Sequence, residues 1–200
     1  METEFDVKFY PVDKEVIRKK LKKLGAKQLV LERKMKRVIF DKIANPKIKG
    51  NYLRLRDEGN CVRLSIKVHA KKGGRVSDQK EAEVEVADFD RTLGILRGIG
   101  LKETNYQESL RESWEYQGVK IEIDTWPGLE PLVEVEGQSE EEIRRVAEKL
   151  GFNWENKIFT GVLQIFAKAY GLSDEATWEK LRYLTFGKIP FAGKKGRNNA

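Results

Sequence analysis

Several pairs of like charges stand two residues apart on alternating runs of this 200-residue chain, among them Glu4 and Asp6, followed by Lys8; Arg54 and Arg56; Glu83 and Glu85; and Glu134 and Glu136. Arg63, Lys67, Arg111 and Asp124 lie in similarly alternating runs. A spacing of two puts side chains on one face of a β-strand. Like charges so placed repel one another. A bound cation would offset the acids, and a bound polyanion would offset the bases. The chain has a single cysteine, Cys61, and a single histidine, His69. Cysteine cages and histidine-based zinc sites are therefore excluded. Any metal must be held by carboxylates, which suits Mg²⁺ or Mn²⁺.

The elements that must carry these residues are mostly strands. Glu4 to Phe9 alternates strictly, with Phe5, Val7 and Phe9 opposite the charged set. Residues 27–41, 52–56, 62–68, 81–86, 106–116, 119–124 and 132–136 read as seven further strands, several with one apolar and one charged face. Helices are expected over 14–24, behind Asp13 as its cap, over 89–96, and from the Ser139/Glu142 capping box to Leu150. Two more are expected over 161–170 and 174–184. Polar-outward alternation is the ordinary pattern of a half-buried strand. Here, however, acids are grouped on some strands and bases on others, and the amphipathic helices need a surface to cover. The expected fold is α+β: an eight-stranded antiparallel barrel, closed to remove its edges. Its polar face points inward as a tunnel, and helices wrap the outside.

The net charge of +7 suggests an anionic partner, but its distribution matters more than its size. Residues 187–200 hold Lys188, Lys194, Lys195 and Arg197 and no acid, which leaves +3 for residues 1–186. Residues 1–186 read as one domain and 187–200 as a mobile basic tail. Nucleic acid is not the expected partner. No apolar run is long enough to span a membrane, and Met1 to Glu4 has no secretory pattern, so the cytoplasm is the default location.

Taken in order, the motifs resemble the signature of the CYTH superfamily, the triphosphate tunnel metalloenzymes. Glu4-x-Asp6-x-Lys8 is similar to its ExExK, Arg54-x-Arg56 to its paired arginines, and Lys67 to its fourth-strand lysine. Glu83-x-Glu85, Arg111, Asp124 and Glu134-x-Glu136 complete the series, over roughly residues 2–170. The resemblance implies that Lys8, Arg54, Arg56, Lys67 and Arg111 hold the phosphates of a triphosphate-containing small molecule. Arg63, on the face of Lys67, is added to them. It implies metal binding by Glu4, Asp6, Glu83, Glu85, Asp124, Glu134 and Glu136, a catalytic role for Glu4, Asp6 and Lys8, and Mg²⁺ or Mn²⁺ as cofactor. Family members are often homodimers. Two positions depart from the pattern: Asp6 replaces a glutamate, and Ser109 stands where a base is common. The implied activity is hydrolysis of tripolyphosphate, thiamine triphosphate or a nucleoside triphosphate. The alternatives are a class IV adenylate cyclase, releasing pyrophosphate from ATP, and a non-enzymatic polyphosphate- or RNA-binding module. Glu81 and Glu115 are read as mouth or surface charges, Arg33 and Arg37 as solvated, and Trp126, Trp154 and Trp178 as packing residues.

Overall fold

The computed structural model describes residues 2–3, 5–41, 52–68 and 80–191. The strands are β1 (Glu2–Thr3), β2 (Phe5–Phe9), β3 (Lys27–Asp41), β4 (Tyr52–Asp57), β5 (Val62–Val68), β6 (Lys80–Val86), β7 (Glu103–Tyr116), β8 (Val119–Thr125), β9 (Leu132–Gly137) and β10 (Tyr183–Leu184). The helices are α1 (Lys14–Lys23), α2 (Phe89–Gly98), α3 (Glu140–Lys149), α4 (Val162–Tyr170) and α5 (Asp174–Lys180).

Antiparallel strands β2 to β9 form one sheet, in the order β6-β5-β4-β3-β7-β8-β9-β2, curled into a half-barrel. The N-terminal residues meet both of its ends. Glu2 lies opposite Glu81 on β6, and Phe5 to Phe9 run along β9. Glu4, between these two pairings, lies outside the described residues, so the described sheet is open.

Period-two alternation sorts the side chains. Val7, Phe9, Trp114, Ile121, Ile123, Val133 and Val135 point to the convex face and are buried under α1 and α3 through Ile17, Leu21, Ile143, Val146 and Leu150. Each such side chain contributes roughly 1.5–3 kcal/mol on burial. Asp13 caps α1 by accepting from the backbone N–H groups of Glu15 and Val16 at 2.8 and 3.1 Å. Gly137 ends β9 where α3 crosses it, and a Cβ there would stand 2.9 Å from Ile143 Cγ2. On the other half of the convex face α2 covers Val38, Phe40 and Leu55 with Phe89, Leu93 and Leu96.

The C-terminal region departs from the expected helix over 174–184. Helix α5 stops at Lys180, and Tyr183–Leu184 pairs in parallel with Tyr106–Gln107 on β7. Strand β8 reaches only as far as Leu110, so this half of β7 has an open edge that β10 satisfies. Phe191, inside the expected tail, is buried against Phe166 and Tyr170, with ring centroids 4.7 and 4.6 Å away. The folded body thus runs on to Phe191, and residues 192–200 lie outside the described residues.

Candidate active site

Charged residues from eight strands meet on the concave face. Its basic side lies on β3, β4 and β5, where the register places Arg37, Arg56 and Arg63 directly opposite one another in a row. The next row holds Arg54, Ser65 and Glu83, and the one beyond it Tyr52, Lys67 and Glu81. Arg54 donates to Glu81 at 2.8 Å and lies 3.7 Å from Glu83. Arg56 pairs with Glu58 at the β4–β5 turn and lies 3.8 Å from Glu83. Arg63 pairs with Glu83 at 2.6 Å. Burial, reinforced by the charges of Arg54 and Arg111, lowers Arg56 below the ordinary guanidinium range. The Nε atoms of Arg54 and Arg56 are buried without a hydrogen-bond partner among the described residues. Orphaned donors of this kind cost about 1–3 kcal/mol each until a ligand or water accepts from them.

The acidic side lies on β2, β8 and β9. Asp6 stands opposite Glu136, Lys8 opposite Glu134, and Glu134 opposite Glu122. Arg111, reaching from β7, donates from Nε and Nη2 to the two oxygens of Asp124 at 2.7 and 2.6 Å. It also pairs with Glu134 at 3.0 Å and with Glu122. Lys8 pairs with Asp6 and, at 2.9 Å, with Glu134. Burial alone would raise Glu134, yet Lys8 and Arg111 hold it well below the usual carboxylate range. Asp6 goes the other way. Burial, strengthened by the adjacent Glu134 carboxylate and only partly opposed by Lys8, pushes it up to about 6.

That contrast bears on a metal. Asp6 and Glu134 both contact Lys8, and the Glu134 charge helps to raise Asp6, so the pair holds its second negative charge poorly. Hard carboxylate oxygens with Glu136 beside them are a donor set that fits Mg²⁺ or Mn²⁺. Among the described residues, no three acidic side chains converge as a metal cage; oxygens of Asp6, Asp124 and Glu134 pair with Lys8 and Arg111.

A sequence model of the CYTH domain matches residues 2–161. The chain belongs to the CYTH family. CYTH proteins bind triphosphate substrates and generally depend on a divalent metal. Among solved structures, a conserved hypothetical protein of Pyrococcus furiosus is 21% identical, covering 81% of this chain and 99% of its own, with a TM-score of 0.66. A provisional adenylate cyclase of Vibrio parahaemolyticus is 12% identical over 83% of this chain and 98% of its own, with a TM-score of 0.69. A Hippeastrum protein, described as revealing a dominant triphosphatase activity, is 16% identical over 86% and 97%, with a TM-score of 0.54. These likenesses are of fold. No curated protein matches the chain. No helix among the described residues is long and apolar enough to cross a membrane.

In this CYTH chain the concave face gathers Asp6, Lys8, Arg54, Arg56, Arg63, Glu83, Glu85, Arg111, Asp124, Glu134 and Glu136. Glu85 is exposed at its edge, opposite Arg63. Lys67 is placed by its register alone, and Glu4 lies outside the described residues. Asp124 is engaged by Arg111, and Glu83 lies among the arginines of β4 and β5. Sequence reasoning missed several members. Glu122 and Lys120 alternate with the chosen Asp124, a signal that was there to be read. Glu81, read as a mouth or surface charge, pairs with Arg54. Glu58 closes the hairpin turn under Arg56 and Arg33. Arg33 and Arg37, read as solvated, face inward opposite Arg111 and Gln107.

Proposed function

We propose that this chain is a metal-dependent phosphohydrolase that takes a linear triphosphate along its concave face. We propose further that the sheet closes there into a tunnel, a reading supported by the pairing of Glu2 and Thr3 with β6 and of Phe5 to Phe9 with β9. The observation that carries the reading is the division of one concave face into a guanidinium side with orphaned donors and a carboxylate side with surplus negative charge. A polyphosphate answers the first and a divalent cation answers the second.

Arg54, Arg56, Arg63, Lys67, Arg111 and Lys8 would hold phosphate oxygens, the arginines through the planar fork that suits phosphate. Asp6, Glu134 and Glu136, with Glu4, would hold Mg²⁺ or Mn²⁺, with Glu83, Glu85 and Asp124 as further acidic contacts. When bound, the cation neutralises charge on phosphate oxygens. Lys8 lies between Asp6 and Glu134 and would steady whichever of them orients the attacking water. Phosphoryl transfer asks mainly for such placement and charge stabilisation.

The test is turnover of tripolyphosphate, ATP and thiamine triphosphate with Mg²⁺ or Mn²⁺, with the products resolved. Orthophosphate release that Glu134→Gln abolishes without altering the circular dichroism is the expected result. Cyclic AMP with pyrophosphate would replace this reading by the cyclase, and binding without any turnover would replace it by a polyphosphate-binding module.

A further inference from the structure

Among the described residues, Arg37 is the member of the arginine row without a carboxylate partner. Arg56 has Glu58 and Arg63 has Glu83. Among the described residues, no carboxylate lies within ion-pair distance of Arg37, although Arg56 stands directly opposite on β4. Like charges so opposed are destabilising. The side chain is nonetheless held in place. Its Nε donates to Gln107 Oε1 at 2.8 Å, and Gln107 Nε2 donates to the Leu181 carbonyl at 2.8 Å. Its guanidinium carbon sits 4.4 Å from the centre of the Trp126 ring, a cation–π contact. The two terminal nitrogens make no hydrogen bond to any described residue. Burial and the charges of Arg54, Arg56 and Arg111 lower Arg37 to about 9, so it remains charged at neutral pH.

A cation fixed by its Nε and its π-face, with its fork left open, is prepared for an anion and needs no rearrangement to bind it. We propose that Arg37 is a further phosphate-binding residue, the third guanidinium of a cross-strand row with Arg56 and Arg63 that grips one phosphoryl group of a linear polyphosphate. Gln107 is its positioning residue. The anchor for Gln107, the Leu181 carbonyl, belongs to the C-terminal segment that lies beyond the family match at residue 161. This inference rests on the triphosphate reading.

The experiment is calorimetric binding of tripolyphosphate at neutral pH in chelator-treated buffer, for the full chain and three variants, beside thermal unfolding of each. Arg37→Met is expected to weaken binding about tenfold or more, and Arg37→Lys, which keeps a point charge but loses the fork, to weaken it by an intermediate factor. Gln107→Glu leaves Arg37 in place and supplies the missing carboxylate. Its carboxylate cannot donate to the Leu181 carbonyl, so a lower melting temperature is expected as well, but the comparison is made at a temperature where the variant is folded. There it is expected to weaken binding although Arg37 is retained, which a purely structural role for Arg37 would not produce, and it holds the inference testable should Arg37→Met fail to fold. Wild-type affinity in a folded Arg37→Met or in Gln107→Glu would overturn the role of Arg37 alone. No binding by the wild-type chain would overturn the triphosphate reading and, with it, this one.

Discussion

Arg111 is the hinge of the electrostatics, and replacing it with methionine has a calculable consequence. It touches three carboxylates whose side chains are 3%, 4% and 17% exposed: Glu122, Asp124 and Glu134. Two of them keep another cation, since Lys120 lies 2.9 Å from Glu122 and Lys8 2.9 Å from Glu134. Asp124 keeps none among the described residues. Removing one partner of a buried pair costs about 3–5 kcal/mol. For a chain of this size each kcal/mol moves the melting temperature by ~2–4 °C, so Arg111→Met should lower it by roughly 6–20 °C at pH 7.5 without ligand.

The pH dependence has a definite sign. Burial already raises Asp124 above its ordinary value despite Arg111, and losing Arg111 raises it further. A carboxylate raised in the folded state favours folding below its unfolded pKa, and that contribution is lost as pH rises through the folded one. The penalty should therefore be small near pH 4 and full at pH 7.5. Asp124→Asn on the Arg111→Met background should recover part of it. The assay is thermal unfolding of the four proteins of this cycle at both pH values. A melting temperature for Arg111→Met within 2 °C of wild type at pH 7.5, or an equal drop at both pH values, would refute the reasoning.

Two further outcomes are expected. Asp6, raised by burial to about 6 from 3.8, binds a proton in the folded state that the unfolded chain releases, so its contribution to stability is lost as pH rises from about 4 through about 6. Asp6→Asn should accordingly gain stability relative to wild type, by about 1–3 kcal/mol between pH 4 and pH 7.5, as measured by urea unfolding at each pH; a constant difference would count against the shift. On the convex side, Glu112 is 2% exposed and accepts from Arg18 at 2.6 and 2.8 Å, Gln28 at 2.7 Å and Trp114 Nε1 at 2.8 Å. Glu112→Ala leaves Gln28 and Trp114 Nε1 without this acceptor and takes from Arg18 its buried partner, though Arg18 keeps Glu15 and Glu32; it should cost about 3 kcal/mol in urea unfolding while leaving turnover of the folded protein unchanged, because none of these groups faces the concave site.

Reading the chain alone works where local physics is enough. Val119 to Asp124 has an unbroken alternation, so the face of Asp124 could be read from it, and the same holds for Val133 to Glu136 and for Phe5 to Phe9. Strand β3 shows where that logic stops. Its register shifts between Gln28 and Val30 and again between Val30 and Arg33. Each irregularity breaks the count by two, so the inward turn of Arg33 and Arg37 was not legible from spacing. Glu112 sits on the apolar side of β7, and only the approach of α1, bringing Arg18, makes that position tolerable. The switch from α5 to β10 depends on an open edge that exists only once the sheet has formed.

The sequence by itself therefore determined which residues carry charge, their strand faces where alternation is unbroken, and the order of motifs that marks the family. The tertiary structure decided the pairings. Lys8 and Glu134 are 126 positions apart, and Arg54 and Glu81 are 27. What joins them is strand register and sheet curl, non-local quantities set by packing under α1, α2 and α3. The same packing leaves Arg37 as the arginine of its row without an acid among the described residues.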